Sequence, residues 1–165
     1  VVIATLKQYA KHKDGTYVSM DLRPESRALL DNFVQMNLGL TERVDPSTYH
    51  ITIIYSRTPV PSAESAEGLT TETEAFVTGY EVFPTKNDGH CLVMRLKFIW
   101  AEFLNAKLTE EGATSDYPVY KPHLTIAYDM TQMVDPETLP IPKFPLKFGP
   151  VKVVPLDPQF TPANK

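Results

Sequence analysis

An eight-residue phrase occurs twice in this chain, and no other feature constrains the fold as tightly. Tyr49-His50-Ile51-Thr52-Ile53-Ile54-Tyr55-Ser56 recurs as Pro122-His123-Leu124-Thr125-Ile126-Ala127-Tyr128-Asp129. Each copy is rich in β-branched and aromatic residues, so each reads as a strand. Alternation along a strand sends His and the Thr two residues later to one face. The same parity sends Ile51, Ile53 and Tyr55, or Leu124, Ile126 and Tyr128, to the other face, so both tyrosines are expected to be packing residues. Two imidazoles, each escorted by a hydroxyl, suggest a two-histidine acid–base site.

The surroundings of the phrase repeat as well. Strand-like Tyr17-Val18-Ser19-Met20-Asp21-Leu22 leads into Pro24, a favoured first helical residue, and then Leu29, Leu30, Phe33, Val34 and Leu38 at helical spacing. Gly39 closes that helix. Farther on, Leu92-Val93-Met94-Arg95-Leu96 precedes a segment carrying Trp100, Phe103, Leu104 and Leu108, which Gly112 closes. The interval from Gly39 to His50 equals that from Gly112 to His123. A strand–helix–loop–strand unit repeated at one spacing implies two half-lobes, roughly 15–58 and 75–155, within one domain spanning 1–165. A pseudo-twofold between them would bring the two His-x-Thr strands together at a cleft.

Composition sets the outer limits. A chain of 165 residues with 42% hydrophobic content can fold around one core, and no apolar run reaches the length of a membrane span. The formal net charge of −4 argues against broad binding to duplex nucleic acid, which needs a basic face. A small anionic ligand held by a few local donors remains compatible with it. Lone Cys91 has no internal disulfide partner and fits a reducing, cytoplasmic compartment. The opening residues Val1 to Leu6 are too short for a signal-peptide core.

Outside the repeats, residues 1–14 read as a polar, basic lead-in. Pro59 to Thr73 reads as a mobile loop rich in Pro, Ser and Glu, Phe76 to Phe83 as a strand, and Lys86-Asn87-Asp88-Gly89 as a hairpin turn. The tail after Met130 holds seven prolines by Pro158, with short strands expected at 144–148 and 151–155, at sheet edges rather than centres.

Phosphodiester cleavage needs one group to deprotonate the attacking oxygen and another to protonate the leaving oxygen. Imidazole supplies both forms near neutral pH. Threonine hydroxyls can donate to the non-bridging oxygens, where charge grows in the transition state. No metal or cofactor is expected: there is no His-x-x-x-His, no cysteine pair, and no carboxylate inside either motif. His12 and His90, in a charged lead-in and a turn, lack strand context. Cys91 has no activating neighbour except His90.

His50-Ile51-Thr52 and His123-Leu124-Thr125, one per half, resemble the paired signature of the 2H phosphoesterase superfamily, and Lys121-Pro122-His123-Leu124-Thr125 is especially similar to its second motif. The resemblance spans roughly residues 17 to 155. It implies an α+β, bilobal fold, with antiparallel sheets forming a concave cleft, helices outside, and metal-independent phosphodiester chemistry. Within the superfamily the chain looks most like the phage anti-CBASS phosphodiesterases, which degrade the cyclic di- and trinucleotide signals of bacterial immunity. That likeness implies His50 and His123 as the acid–base pair, Thr52 and Thr125 on the phosphate, and aromatic residues against the bases. Strand parity offers Tyr17 for that stacking role. Tyr80 is a second candidate, and Lys121 shares parity with His123 and could meet a phosphate. The expected ligand is a cyclic or short oligonucleotide, acted on by a monomer in the host cytoplasm, with no duplex and no membrane partner. Two other readings stand beside it: a phosphodiesterase for RNA ends, 2′,5′ linkages or 2′,3′-cyclic phosphates, and a noncatalytic nucleotide-binding sponge.

Overall fold

The structure, a computed structural model, describes residues 5–71 and 73–160. The first four residues of the lead-in and Glu72 in the inter-half segment lie outside the described residues. In chain order the elements are α1 (Leu6–Lys11), β1 (Thr16–Leu22), α2 (Pro24–Asn37), β2 (His50–Ser56), β3 (Phe76–Pro84), β4 (His90–Lys97), α3 (Ile99–Glu110), β5 (His123–Met130) and β6 (Phe148–Pro155).

The two repeats fold alike. β1–α2–β2 and β4–α3–β5 are the same unit, with Pro24 at the start of α2 and with Gly39 and Gly112 at positive φ just past the helix ends. The six strands form one antiparallel sheet in the order β3-β4-β5-β2-β1-β6, which reads outward from its centre as the same arrangement twice. The halves meet where β2 pairs with β5, and that seam has a single register pair, Ile51 with Leu124. Beyond it the inner strands have no further register pairs, and two loops and helix α3 satisfy backbone carbonyls left open. Tyr120 Oη donates to the Thr52 carbonyl at 2.8 Å, Asn105 Nδ2 to that of Ile53 at 2.8 Å, and the Val44 amide to that of Ile126 at 2.8 Å.

Both helices cover the sheet face that carries Ile51 and Leu124. α2 buries Leu30 and Val34 there, and α3 buries Ala101, Leu104 and Leu108. The histidines therefore stand on the opposite, uncovered face. Prolines lie at the edges, with Pro150 and Pro155 on β6 and Pro84 ending β3. The expected strand at 144–148 is reduced to an isolated bridge between Leu146 and Ala75, and Pro145 within it has no ladder donor to give.

Two expectations are corrected. The lead-in contains a helix, α1, started by a capping box in which Thr5 Oγ1 accepts from the Gln8 amide and Gln8 Oε1 accepts from the Thr5 amide. The segment expected as a mobile loop is strapped down. A 3₁₀ helix at Pro61–Ala66 follows buried Val60 and buries Pro61, Ala63 and Ala66, while Glu64 pairs with Lys11 and with fully buried His12. Small apolar side chains at close spacing give that strap a buried face that its Pro/Ser/Glu content concealed. No helix among the described residues is long and apolar enough to cross a membrane.

Candidate active site

At the seam, the two histidines are held in the same way. His50 Nδ1 donates to the Thr48 carbonyl at 2.7 Å, and His123 Nδ1 donates to the Lys121 carbonyl at 3.0 Å, each two residues upstream. A carbonyl can only accept, so each Nδ1 carries hydrogen and each Nε2 is the free nitrogen available to a ligand. In the neutral ring Nε2 is a base; protonated, it is an acid. His50 is half-buried and His123 exposed.

The threonines differ in what holds them. Thr52 Oγ1 lies 2.8 Å from Tyr17 Oη, whereas Thr125 lies beside the Cys91 thiol. These partners occupy equivalent places. Asp21 faces His50 and Ser19 faces Thr52 across β1–β2, as Arg95 faces His123 and Val93 faces Thr125 across β4–β5. Two residues farther along come Tyr17 and Cys91. Burial raises the pKa of both, the phenol and the thiol, so neither is an activated nucleophile.

The parity argument fails at Tyr55. Between β1 and β2, Val18 faces Ile54 while Ser19 faces Thr52, leaving Ile53 as an extra residue. Ile53 and Ile54 are both buried, and the bulge returns Tyr55 to the histidine face, opposite Tyr17. Tyr55 is 38% exposed, and its ring meets the Tyr17 ring edge-on at 6.1 Å. Arg57 lies over the Tyr55 ring at 5.3 Å and makes a two-point contact with Asp116. β5 has the same irregularity, with Ile126 unpaired between Thr125 and Ala127; Ile126 and Ala127 are both buried, and Tyr128 beyond them is half-buried.

Tyr80, offered by sequence as a base-stacking residue, is corrected. Its cross-strand partner is buried Met94, which places its ring on the core face at 7% exposure, and its hydroxyl donates to the Pro140 carbonyl at 2.7 Å. Burial raises its pKa as well. Lys121 is exposed and lies before β5 rather than on it, and its backbone carbonyl is the group that meets His123.

Sequence reading also passed over two ion pairs on the histidine face. In the first half Lys152 Nζ of β6 donates to Asp21 Oδ2 of β1. In the second, Arg95 Nη2 of β4 lies 2.9 Å from Glu81 Oε1 of β3. The cross-strand registers, Lys152 with Ser19 and Glu81 with Val93, make these pairs equivalent in position and opposite in polarity. Arg95 stands in the sequence only as one charged residue in an apolar strand, alternating with Leu92, Met94 and Leu96. Among the described residues, no three His, Cys, Asp or Glu side chains are placed to hold a metal ion.

Residues 14–163 match the family described as "Anti-CBASS protein Acb1". The Anti-CBASS protein Acb1 of Vibrio phage KVP40 is 30% identical over 115 residues, covering 70% of this chain and 73% of that protein. The Acb1 of Acinetobacter phage Ac42 is 30% identical over 129 residues, covering 74% and 79%. Enterobacteria phage T4 Acb1 is 26% identical over 125 residues, covering 76% and 79%. Among solved structures, E. coli LigT complexed with NADP+ aligns with a TM-score of 0.53 at 19% identity, covering 86% of this chain and 94% of that one. TT0787 of Thermus thermophilus aligns at 0.52 and 18% identity, covering 84% and 83%. These two likenesses are likenesses of fold.

Proposed function

The chain belongs to the anti-CBASS protein Acb1 family and has the fold of the 2H phosphoesterases, and from that premise we propose that it is a phosphodiesterase that cleaves cyclic di- or trinucleotide immune signals by two-histidine acid–base catalysis. The observation that carries this reading is the pair of identically anchored imidazoles, one from each half, with free Nε2 atoms at one seam. One takes a proton from the attacking oxygen and the other gives a proton to the leaving oxygen. Thr52 and Thr125 donate to the non-bridging oxygens as negative charge builds there. Tyr17, beside Tyr55, offers an aromatic surface to a base, and the Lys121 ammonium adds positive charge at the rim.

For a ribonucleotide the nucleophile is the substrate's own 2′-hydroxyl. It is already held beside the phosphorus, so the effective molarity is high and no activated water is needed. The O2′–P bond forms as the P–O5′ bond breaks; one His receives the 2′ proton and the other protonates O5′. The first product is a 2′,3′-cyclic phosphate. In a host cell this reaction would remove the signal on which antiphage defence depends, and the place of action is the host cytoplasm.

The test is a panel of cyclic dinucleotides, 2′,5′-oligoadenylate and 2′,3′-cyclic nucleotides, run with excess chelator. Cleavage of 3′,3′-cyclic GMP–AMP to a linear product is expected, with the rate unchanged by chelator. The same substrate with 2′-deoxyribose at the cleaved position should bind without reacting. Cleavage of only the linear or 2′,3′-cyclic substrates would turn the reading towards RNA-end chemistry, and tight binding with no turnover would make the protein a sponge.

A further inference from the structure

We propose that Arg95 is a further phosphate-binding residue of this site, contacting the scissile phosphate beside His123, with Glu81 as its positioning residue; the proposal rests on the phosphodiesterase reading above. Arg95 faces His123 directly across β4–β5, and facing side chains of an antiparallel pair have Cβ atoms about 4.5–5.5 Å apart. A phosphate within reach of His123 Nε2 is therefore within reach of the long Arg95 side chain. Glu81 engages the guanidinium through Nη2 at 2.9 Å. The guanidinium has five N–H donors, so most of the fork remains available to phosphate oxygens.

The surroundings favour binding over stability as the role of this pair. Arg95 is only 20% exposed, so its charge is less screened than that of a surface arginine. The chain as a whole is acidic, with 16 Lys plus Arg against 20 Asp plus Glu, so a cation beside the histidine is not part of a general basic face. The equivalent position beside His50 holds Asp21, already paired with Lys152. A guanidinium thus borders one imidazole and not the other. A planar fork suits two non-bridging oxygens, and its attraction grows as the diester gains charge on the way to a phosphorane.

The experiment compares the wild type with Arg95→Gln, Arg95→Lys, Arg95→Ala and Glu81→Gln, using 3′,3′-cyclic GMP–AMP as substrate and His50→Ala as the inactive control. Arg95→Gln should lower kcat on the order of 10²-fold, the usual cost of one oxyanion donor, with the melting temperature little changed. Arg95→Lys should recover part of that loss, and Glu81→Gln should lose less than Arg95→Gln. Added guanidinium should restore part of the Arg95→Ala rate, a readout that a purely structural arginine would not give. Near-wild-type kcat in Arg95→Gln, or no guanidinium rescue, would overturn the role of Arg95 while leaving the His50-dependent reaction intact. A wild type that cleaves no cyclic substrate would instead remove the phosphodiesterase reading itself.

Discussion

In the first half of the site Thr52 shares its hydroxyl with the phenol of Tyr17, while in the second half Thr125 stands in the same place beside the thiol of Cys91. Asp21 faces one histidine and Arg95 the other. Tyr55 is exposed and meets Tyr17 ring to ring, and Tyr128 is half-buried. The backbone, in contrast, is duplicated closely: both histidines donate Nδ1–H to the carbonyl two residues back, and both strands have an unpaired residue just after the threonine. On the proposed function, the difference would separate what the reaction needs from what the ligand needs. Proton transfer in and out of a phosphodiester is nearly symmetric, which would account for parts that occur twice. A nucleotide bound across the seam would present unlike groups to the two sides, which would account for contacts built once.

The comparison breaks first at the histidines. Replacing His50 or His123 with Ala should each cost roughly 10²–10⁴-fold in kcat, the usual worth of a positioned general acid or base, with the fold intact. A variant that keeps half the wild-type rate would make that histidine structural and the apparent symmetry accidental.

The threonines should follow with smaller and unequal losses. Thr125→Ala and Thr52→Ala each remove one hydroxyl donor, expected to cost on the order of 10²-fold or less. Tyr17→Phe should reproduce part of the Thr52 loss and leave the contribution of Thr125 untouched. Equal effects of Tyr17→Phe in the wild type and in Thr52→Ala would show that the phenol acts elsewhere.

Binding sharpens the contrast further. On a His50→Ala/His123→Ala trap, Tyr17→Ala should weaken affinity by ~1–3 kcal/mol if its ring stacks on a base. Lys121→Ala should do less, because its side chain is exposed and lies outside β5. Unchanged affinity in both variants would move the base site away from the first half.

The smallest expected effect concerns α1, which has no counterpart in the second half among the described residues. Hydrogen bonds from Lys11, His12 and Gln8 hold the Glu64 carboxyl at about 2, well below its ordinary 4.5. Because the folded-state pKa is lowered, the stabilisation is present above pH 4.5 and fades as pH falls towards 2. Hydrogen-exchange protection of the α1 amides should decline over that window, and Glu64→Gln should flatten the decline. An unchanged profile in the variant would remove Glu64 as the anchor.

Much of this was legible from residues alone. The doubled phrase located β2 and β5, Pro24 and Gly39 bounded α2, and alternation in Tyr17–Leu22 sorted β1 into a cleft face and a core face. What escaped depended on register. A bulge has no compositional mark, since Ile53 and Ile54 look like any apolar pair, and one unpaired residue was enough to reverse the assignment of Tyr55. Tyr80 was misassigned because parity on an edge strand has no meaning until its partner, Met94, is known. The Arg95–Glu81 pair joins strands whose alignment the sequence does not state, and the capped helix at the start was concealed by its charge.

The central claim is that two half-sites, each incomplete, act as a single catalytic unit. The most direct test is a double-mutant cycle on kcat with 3′,3′-cyclic GMP–AMP, using His50→Ala, His123→Ala and the pair, in the presence of chelator. Residues that act as one unit are strongly non-additive, so the double variant should be little slower than the worse single one. A double variant whose loss equals the product of the two single losses would mean that the histidines work independently, and the shared site at the seam would be contradicted.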